Sequence, residues 1–137
     1  MSEHVVMTDI DDGVLTITLN RPAAKNAVNK AVAEGIAGLC EYTPAKPLIA
    51  AIEGYALAGG FELAISCDLV VAADDSKFGI PEVKRGLAAG AGGLVKLPKQ
   101  IPSRIAKELA LTGDFISAHR AFDLGLINEV VPAGSAL

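Results

Sequence analysis

Two short apolar runs, at residues 48–52 and 69–73, are each bounded by turn residues and read as buried strands. Between them lie Gly54, the pair Gly59–Gly60, and Glu62 followed by Leu63, Ala64 and Ile65, a glycine turn that opens a helix. Upstream, residues 5–9 read as a strand and Asp11-Asp12-Gly13 as a tight turn. Leu15, Ile17 and Leu19 then alternate with threonines, which predicts a hairpin with one face packed inward. Pro22 ends that strand, because proline removes a donor and restricts the residue before it. Asn26 is placed to cap a helix over 27–39 that carries Val28, Val32, Ile36 and Leu39 on one face. Gly35 and Gly38 weaken this helix by about 1 kcal/mol each relative to alanine.

Residues 41–46 read as a loop, with Pro44 and Pro47 at the entry to the 48–52 strand. Beyond the second strand, Asp74-Asp75-Ser76 is a turn, 78–80 is extended, and Pro81-Glu82 opens a short helix or turn. Ser103 is placed to cap a helix to Leu111, ended by Thr112-Gly113-Asp114. Ser117 caps another over 118–124, closed by Gly125, and Leu126-Ile127 with Val130-Val131 form a last strand. Strands alternating with helices predict a single α/β domain over residues 1–137.

Composition narrows the function. A 137-residue chain can bury roughly two-thirds of its unfolded surface. Apolar residues make up 51% of it and aromatics only 4%, so Ala, Val, Leu and Ile must fill the core. The net charge of −4, without a basic run, argues against nucleic acid as a partner. Apolar runs stay short of the ~20 residues that a membrane span needs. No charged segment followed by an apolar stretch opens the chain, so the expected setting is cytoplasmic. Cys40 and Cys67 sit in apolar surroundings without metal-ligand spacing and read as small buried hydrophobes. His4 and His119 have no second histidine at ligand spacing, so neither a metal site nor a histidine-based triad is expected.

The chemistry gathers on the glycine turn. A glycine pair leading into a helix leaves backbone N–H groups unpaired at the positive end of the helix dipole. Such a place holds a developing negative oxygen, and Glu62 stands one turn away. Glu82 occupies the equivalent position after the next strand–turn unit, also at a helix start. Two carboxylates reaching one partly dry cleft can hold a water between them, one taking a proton while the other gives one. Each glutamate read alone is a solvated charge, and spacing does not fix the reaction. Lys25 and Lys30 can meet an anionic ligand or simply solvate an exposed helix end. Gly86, Gly90, Gly92 and Gly93 form a glycine loop that matches neither a Walker loop nor the full dinucleotide pattern.

The run IAAIEGYALAGGFELAISCDLVVAADDSKFGIPEVKRGLAAGAGGL resembles the heart of the crotonase superfamily, the enoyl-CoA hydratase and isomerase group. LTITLNRPAAKNAVN resembles its N-terminal strand and coenzyme A contact segment, and ELALTGDFISAHRAFDLGLINEVVP its helical region after the active site. The resemblance implies a crotonase-like spiral of ββα units, assembled as a homotrimer or hexamer, acting on an acyl-CoA thioester. It places Glu62 and Glu82 on the two catalytic glutamates, Gly59 on an oxyanion-hole donor, and Gly90 in the loop that helps bind water. Ala24 and Lys25 fall where family members contact coenzyme A. No separate cofactor is implied, since coenzyme A is part of the substrate.

Both glutamates together favour hydration of the 2,3 double bond. The alternatives are double-bond isomerisation on the same fold, or acyl-CoA binding without turnover. The match is incomplete. Relatives carry a further strand–helix stretch before the 48–52 strand, with a second oxyanion donor in a segment resembling S-A-G-x-D. They also carry C-terminal helices that cover the active site and build the trimer. Here residues 35–38 run almost straight into the proline-bracketed loop.

Overall fold

The computed structural model describes residues 5–40 and 46–137, with the side chains of 37–40 excepted. The 41–46 loop expectation falls almost wholly outside the described residues. The chain divides into two compact units, residues 1–45 and 46–137.

In the first unit, β1 (Val6–Asp11) and β2 (Val14–Leu19) form the expected antiparallel hairpin. Asp12 and Gly13 at its tip both adopt positive φ, 44° and 77°, the twist that a two-residue hairpin turn requires. Register pairs Val6 with Leu19, Thr8 with Ile17 and Ile10 with Leu15, so the large apolar side chains do share a face. That face is not packed inward along its length as expected. Ile10 is 73% exposed, Leu15 47% and Ile17 37%. Only the Val6–Leu19 end is half-buried, where α1 (Lys30–Cys40) approaches so closely that a Cβ on Gly35 would fall 2.8 Å from Val6 Cγ2.

The predicted start of α1 is corrected. Lys25 and Asn26 take left-handed φ values of 50° and 53° in a turn, and the helix begins at Lys30 rather than at residue 27. Asn26 instead closes a turn, its Oδ1 accepting from the Arg21 amide at 2.7 Å. The side chain of Asn29 accepts from the Val32 amide at 3.0 Å and satisfies the helix start. Val28 lies outside the helix.

In the second unit, β3 (Ile49–Ile52), β5 (Leu69–Ala73) and β8 (Glu129–Val131) form a parallel sheet in the order β3-β5-β8. A second sheet has the order β4-β6-β7, with β4 (Tyr55–Leu57) parallel to β6 (Lys77–Gly79) and β7 (Ile116–Ser117) antiparallel to it. The helices are α2 (Gly59–Ala64), α3 (Gly93–Gln100), α4 (Ser103–Thr112) and α5 (Ala118–Asp123), and a 3-10 turn spans Pro81–Arg85. The succession β3-β4-α2 followed by β5-β6, the turn and α3 makes two consecutive ββα units. The architecture is α/β, as expected.

The apolar strand faces explain the layering. Val70 and Ala72 of β5 are buried, with Ala50, Ile52 and Val130 packed against the same core. Phe61 of α2 and Phe78 of β6 are fully buried, their ring centroids 5.9 Å apart and tilted by 58°. Leu97 of α3, Ile101 just after it and Leu109 of α4 belong to the same core.

Other expectations met mixed outcomes. Ser117 caps α5 as predicted, its Oγ accepting from the Arg120 amide at 3.1 Å. Ser103 is the first residue of α4 rather than its cap, a place taken by Pro102, whose missing N–H costs nothing there. Leu126 and Ile127 are buried in a bend and not in a strand, while Asn128 binds both the N–H and the C=O of Val70 and aligns β8. Cys67 is half-buried rather than buried, and the Cys40 side chain lies outside the described residues. Among the described residues no helix is long and apolar enough to cross a membrane.

Candidate active site

Parallel pairing of β4 with β6 aligns two turns at one end of a sheet. The register sets Leu57 beside Gly79, and the Ala58 amide donates to the Gly79 carbonyl at 3.0 Å. Gly59 opens α2 just after β4, and Pro81 opens the 3-10 turn just after β6. Glu62 and Glu82 therefore rise from neighbouring strand ends, each in the first turn of its helix, where the dipole favours negative charge.

The turn before Gly59 is strained. Ala58 holds φ 52° and ψ −128°, a region that a side chain normally avoids. This conformation reverses the chain sharply, so that α2 begins at once and the Gly59 amide has no acceptor within the helix.

Glu62 is 4% exposed, an uncommon state for a carboxylate unless it is bonded. Its Oε1 accepts from the Ala91 amide and from the Gly93 amide, each at 2.8 Å. These donors belong to the glycine loop after the Glu82 turn, which thus folds back onto α2. Gly90 lies at the exposed tip of that loop, and a Cβ there would meet only the Ala88 carbonyl, 3.9 Å away.

Glu82 is half-buried, and its Oε2 is sealed from solvent with no hydrogen-bond partner. A buried polar atom left without a protein partner is rare and calls for an explanation, a catalytic role among them. Its turn is braced by the residues just after α4. Lys84 Nζ meets Asp114 Oδ1 at 2.7 Å, and a Cβ on Gly113 would fall 3.0 Å from Val83 Cγ1. The Lys84 ammonium, first through its hydrogen bond and then through its charge, holds the Asp114 carboxyl below its ordinary value.

The remaining predicted residues lie elsewhere. Ala24 ends a 3-10 turn (Pro22–Ala24) in the first unit, and Lys25 follows it with its amide on the Pro22 carbonyl at 3.0 Å. Lys30 is a solvent-facing residue at the start of α1, paired with Glu34 at 3.6 Å. His119 is exposed on α5, and His4 lies outside the described residues. Among the described residues no three His, Cys, Asp or Glu side chains group closely enough to hold a metal ion.

Sequence reasoning put both glutamates after successive strand ends, as the β4–β6 register has them, but gave no contact to Ala91, Gly93 or Ala58. The first two act through backbone N–H groups, which side-chain motifs do not display. Their only signal was the run of glycines itself. An alanine in a glycine-like conformation leaves no sign in the sequence.

A family model described as enoyl-CoA hydratase/isomerase matches residues 39–137. The chain is 45% identical over 108 residues to mevalonyl-coenzyme A hydratase of Aspergillus fumigatus, a match covering 79% of this chain and 40% of that protein. It is 45% identical over 98 residues to carnitinyl-CoA dehydratase of Escherichia coli, covering 71% of this chain and 38% of that one. Among solved structures, an enoyl-CoA hydratase from Mycobacterium tuberculosis superposes with a TM-score of 0.91 at 46% identity, over 98% of this chain and 71% of that one. The chain thus matches about two-fifths of the length of these curated relatives.

Proposed function

The chain belongs to the enoyl-CoA hydratase/isomerase family of the crotonase superfamily, and from that premise we propose that it adds water, syn, across the 2,3 double bond of an enoyl-CoA thioester. The Gly59 amide donates to the thioester oxygen and stabilises the negative charge that grows there as C3 is attacked. Glu62 takes a proton from the water whose oxygen bonds to C3. Glu82 delivers its proton to C2, and the proton left on Glu62 returns through solvent to Glu82. Gly90 lies in the loop that helps hold the water, while Ala24 and Lys25 contact the coenzyme A moiety. No cofactor is needed, since coenzyme A arrives with the substrate. The assembly that goes with this reading is a homotrimer or hexamer in the cytoplasm.

The observation that carries this reading is the sealed, unpartnered Oε2 of Glu82 beside the turn that bears Glu62. A carboxyl oxygen that no protein group engages is left for the reacting atoms to use. Mixing the chain with a short-chain enoyl-CoA and following the enoyl thioester absorbance tests it. Glu62→Gln and Glu82→Gln should each lower turnover by roughly 10²–10⁴-fold. Undiminished turnover in both variants contradicts the assignment. Binding of the thioester by calorimetry without any absorbance change identifies a non-catalytic acyl-CoA-binding protein instead.

A further inference from the structure

Both hydrogen bonds to the Glu62 carboxylate end on one oxygen. Oε1 accepts from Ala91 and from Gly93, each at 2.8 Å, and an oxygen with two lone pairs is then filled. Among the described residues no hydrogen bond reaches Oε2.

Gly93 can make its bond only because it lacks a side chain. A Cβ at this buried position would stand 2.9 Å from Oε1 and 3.0 Å from Cγ of Glu62, closer than real Cβ contacts come. The backbone there does not demand glycine, since its φ lies outside the left-handed region, unlike that of Gly92 at 107°. Space for the carboxylate, not chain geometry, calls for glycine at 93.

The donors are themselves anchored. Gly93 is the first residue of α3, whose later turns tie down the other end of α2. Lys96 Nζ lies 2.6 Å from Ser66 Oγ, and Gln100 Nε2 donates to the Ile65 carbonyl at 2.9 Å. These two bonds link α3 to the end of α2 and so hold the Gly93 amide in place against Oε1.

We infer that Glu62 works through a single oxygen: the Ala91 and Gly93 amides hold Oε1 throughout, Oε2 alone exchanges the proton, and Gly93 is the positioning residue that makes room for this arrangement. The inference rests on the hydratase reading, and it adds which atom moves the proton and what aims it. Fixing a carboxylate by one oxygen also removes its rotation about the last bond, so Oε2 meets the water in one orientation.

Two measurements on the 137-residue chain test it. In an amide proton–nitrogen NMR spectrum, Glu62→Gln should move the Ala91 and Gly93 amide protons upfield, because a neutral oxygen accepts a weaker bond than a carboxylate. In hydration of a short-chain enoyl-CoA, Gly93→Ala should lower kcat by roughly 10²-fold with KM little changed. Made on a Glu62→Asp background, where the carboxylate is one methylene shorter, the same substitution should cost less than about tenfold, since coupled residues are not additive.

Equal losses in both backgrounds would overturn the positioning role. Amides that stay in place would overturn the clamp, and this readout holds even if Gly93→Ala does not fold. A chain whose amides move but which never hydrates the thioester refutes the hydratase reading and the proton work of Oε2 with it, leaving a structural contact.

Discussion

The Ala58 amide donates to the Gly79 carbonyl at 3.0 Å, and this bond ties together the two turns that carry Glu62 and Glu82. It extends the β4–β6 ladder one step past Leu57 and Gly79, so both helices leave the sheet from aligned ends. The relative placement of the two carboxylates is set by strand register, and residues that hold this register should matter to turnover without touching substrate.

Ala58→Gly should stabilise the fold. A non-glycine residue at φ 52° and ψ −128° stores about 1–3 kcal/mol of strain, against which glycine loses about 0.4–1 kcal/mol through its freer unfolded chain. Urea unfolding should show a gain of about 1 kcal/mol. A loss would mean that the alanine methyl group is needed for packing.

Phe78→Ala should cost about 3–5 kcal/mol, because its ring is fully buried against Phe61 and joins the β6 turn to α2. The same unfolding measurement checks it. A loss under 1 kcal/mol, on the order of an exposed substitution, would show that the two turns are not joined through this contact.

Acid should weaken the fold through two carboxylates. Glu53 accepts from the Ala136 amide at 2.9 Å and the Gly134 amide at 3.0 Å, and these bonds hold its carboxyl below the ordinary value. A depressed folded value means that this stabilisation is complete above about pH 4.3, the unfolded glutamate value, and fades as pH falls through the folded one. Asp114 behaves alike through Lys84. Glu53→Gln and Asp114→Asn should each flatten the acid limb of a stability-against-pH curve. Molar salt should shrink the Asp114 part more than the Glu53 part, since the charge of an exposed ion pair is screened and hydrogen bonds from backbone amides are not.

Asp114→Asn should also loosen the Glu82 turn. The Lys84–Asp114 pair is exposed, so the expected cost in turnover is roughly two- to fivefold. A kinetic comparison at low salt checks this, and no change there would remove the brace from the account.

Much of this was legible in the chain. The 69–73 strand, the 11–13 turn and the Ser117 cap follow from local patterns that tertiary packing leaves intact, whereas each glutamate read alone is a solvated charge. β4 and β7 were not legible, because β4 lies inside the stretch that reads as a glycine turn and β7 has only two residues. Strands that short show no alternation, and they exist because β6 lies between them to bond on both edges. The start of α1 was misplaced because Asn26 and Asn29 are both good caps, and only the left-handed turn at Lys25 and Asn26 chooses between them. The hairpin face was misjudged because alternation reveals which side chains share a face but not whether anything covers it. The bonds to Glu62 were hidden because they come from amides that every residue carries.

The most direct test of the central claim is hydration in heavy-oxygen water, with the product examined by mass spectrometry. Water addition guided by Glu62 and Glu82 predicts a 3-hydroxyacyl thioester that carries one solvent-derived oxygen, lost in both Glu→Gln variants. A product of unchanged mass with its double bond shifted would contradict hydration and assign this site to isomerisation.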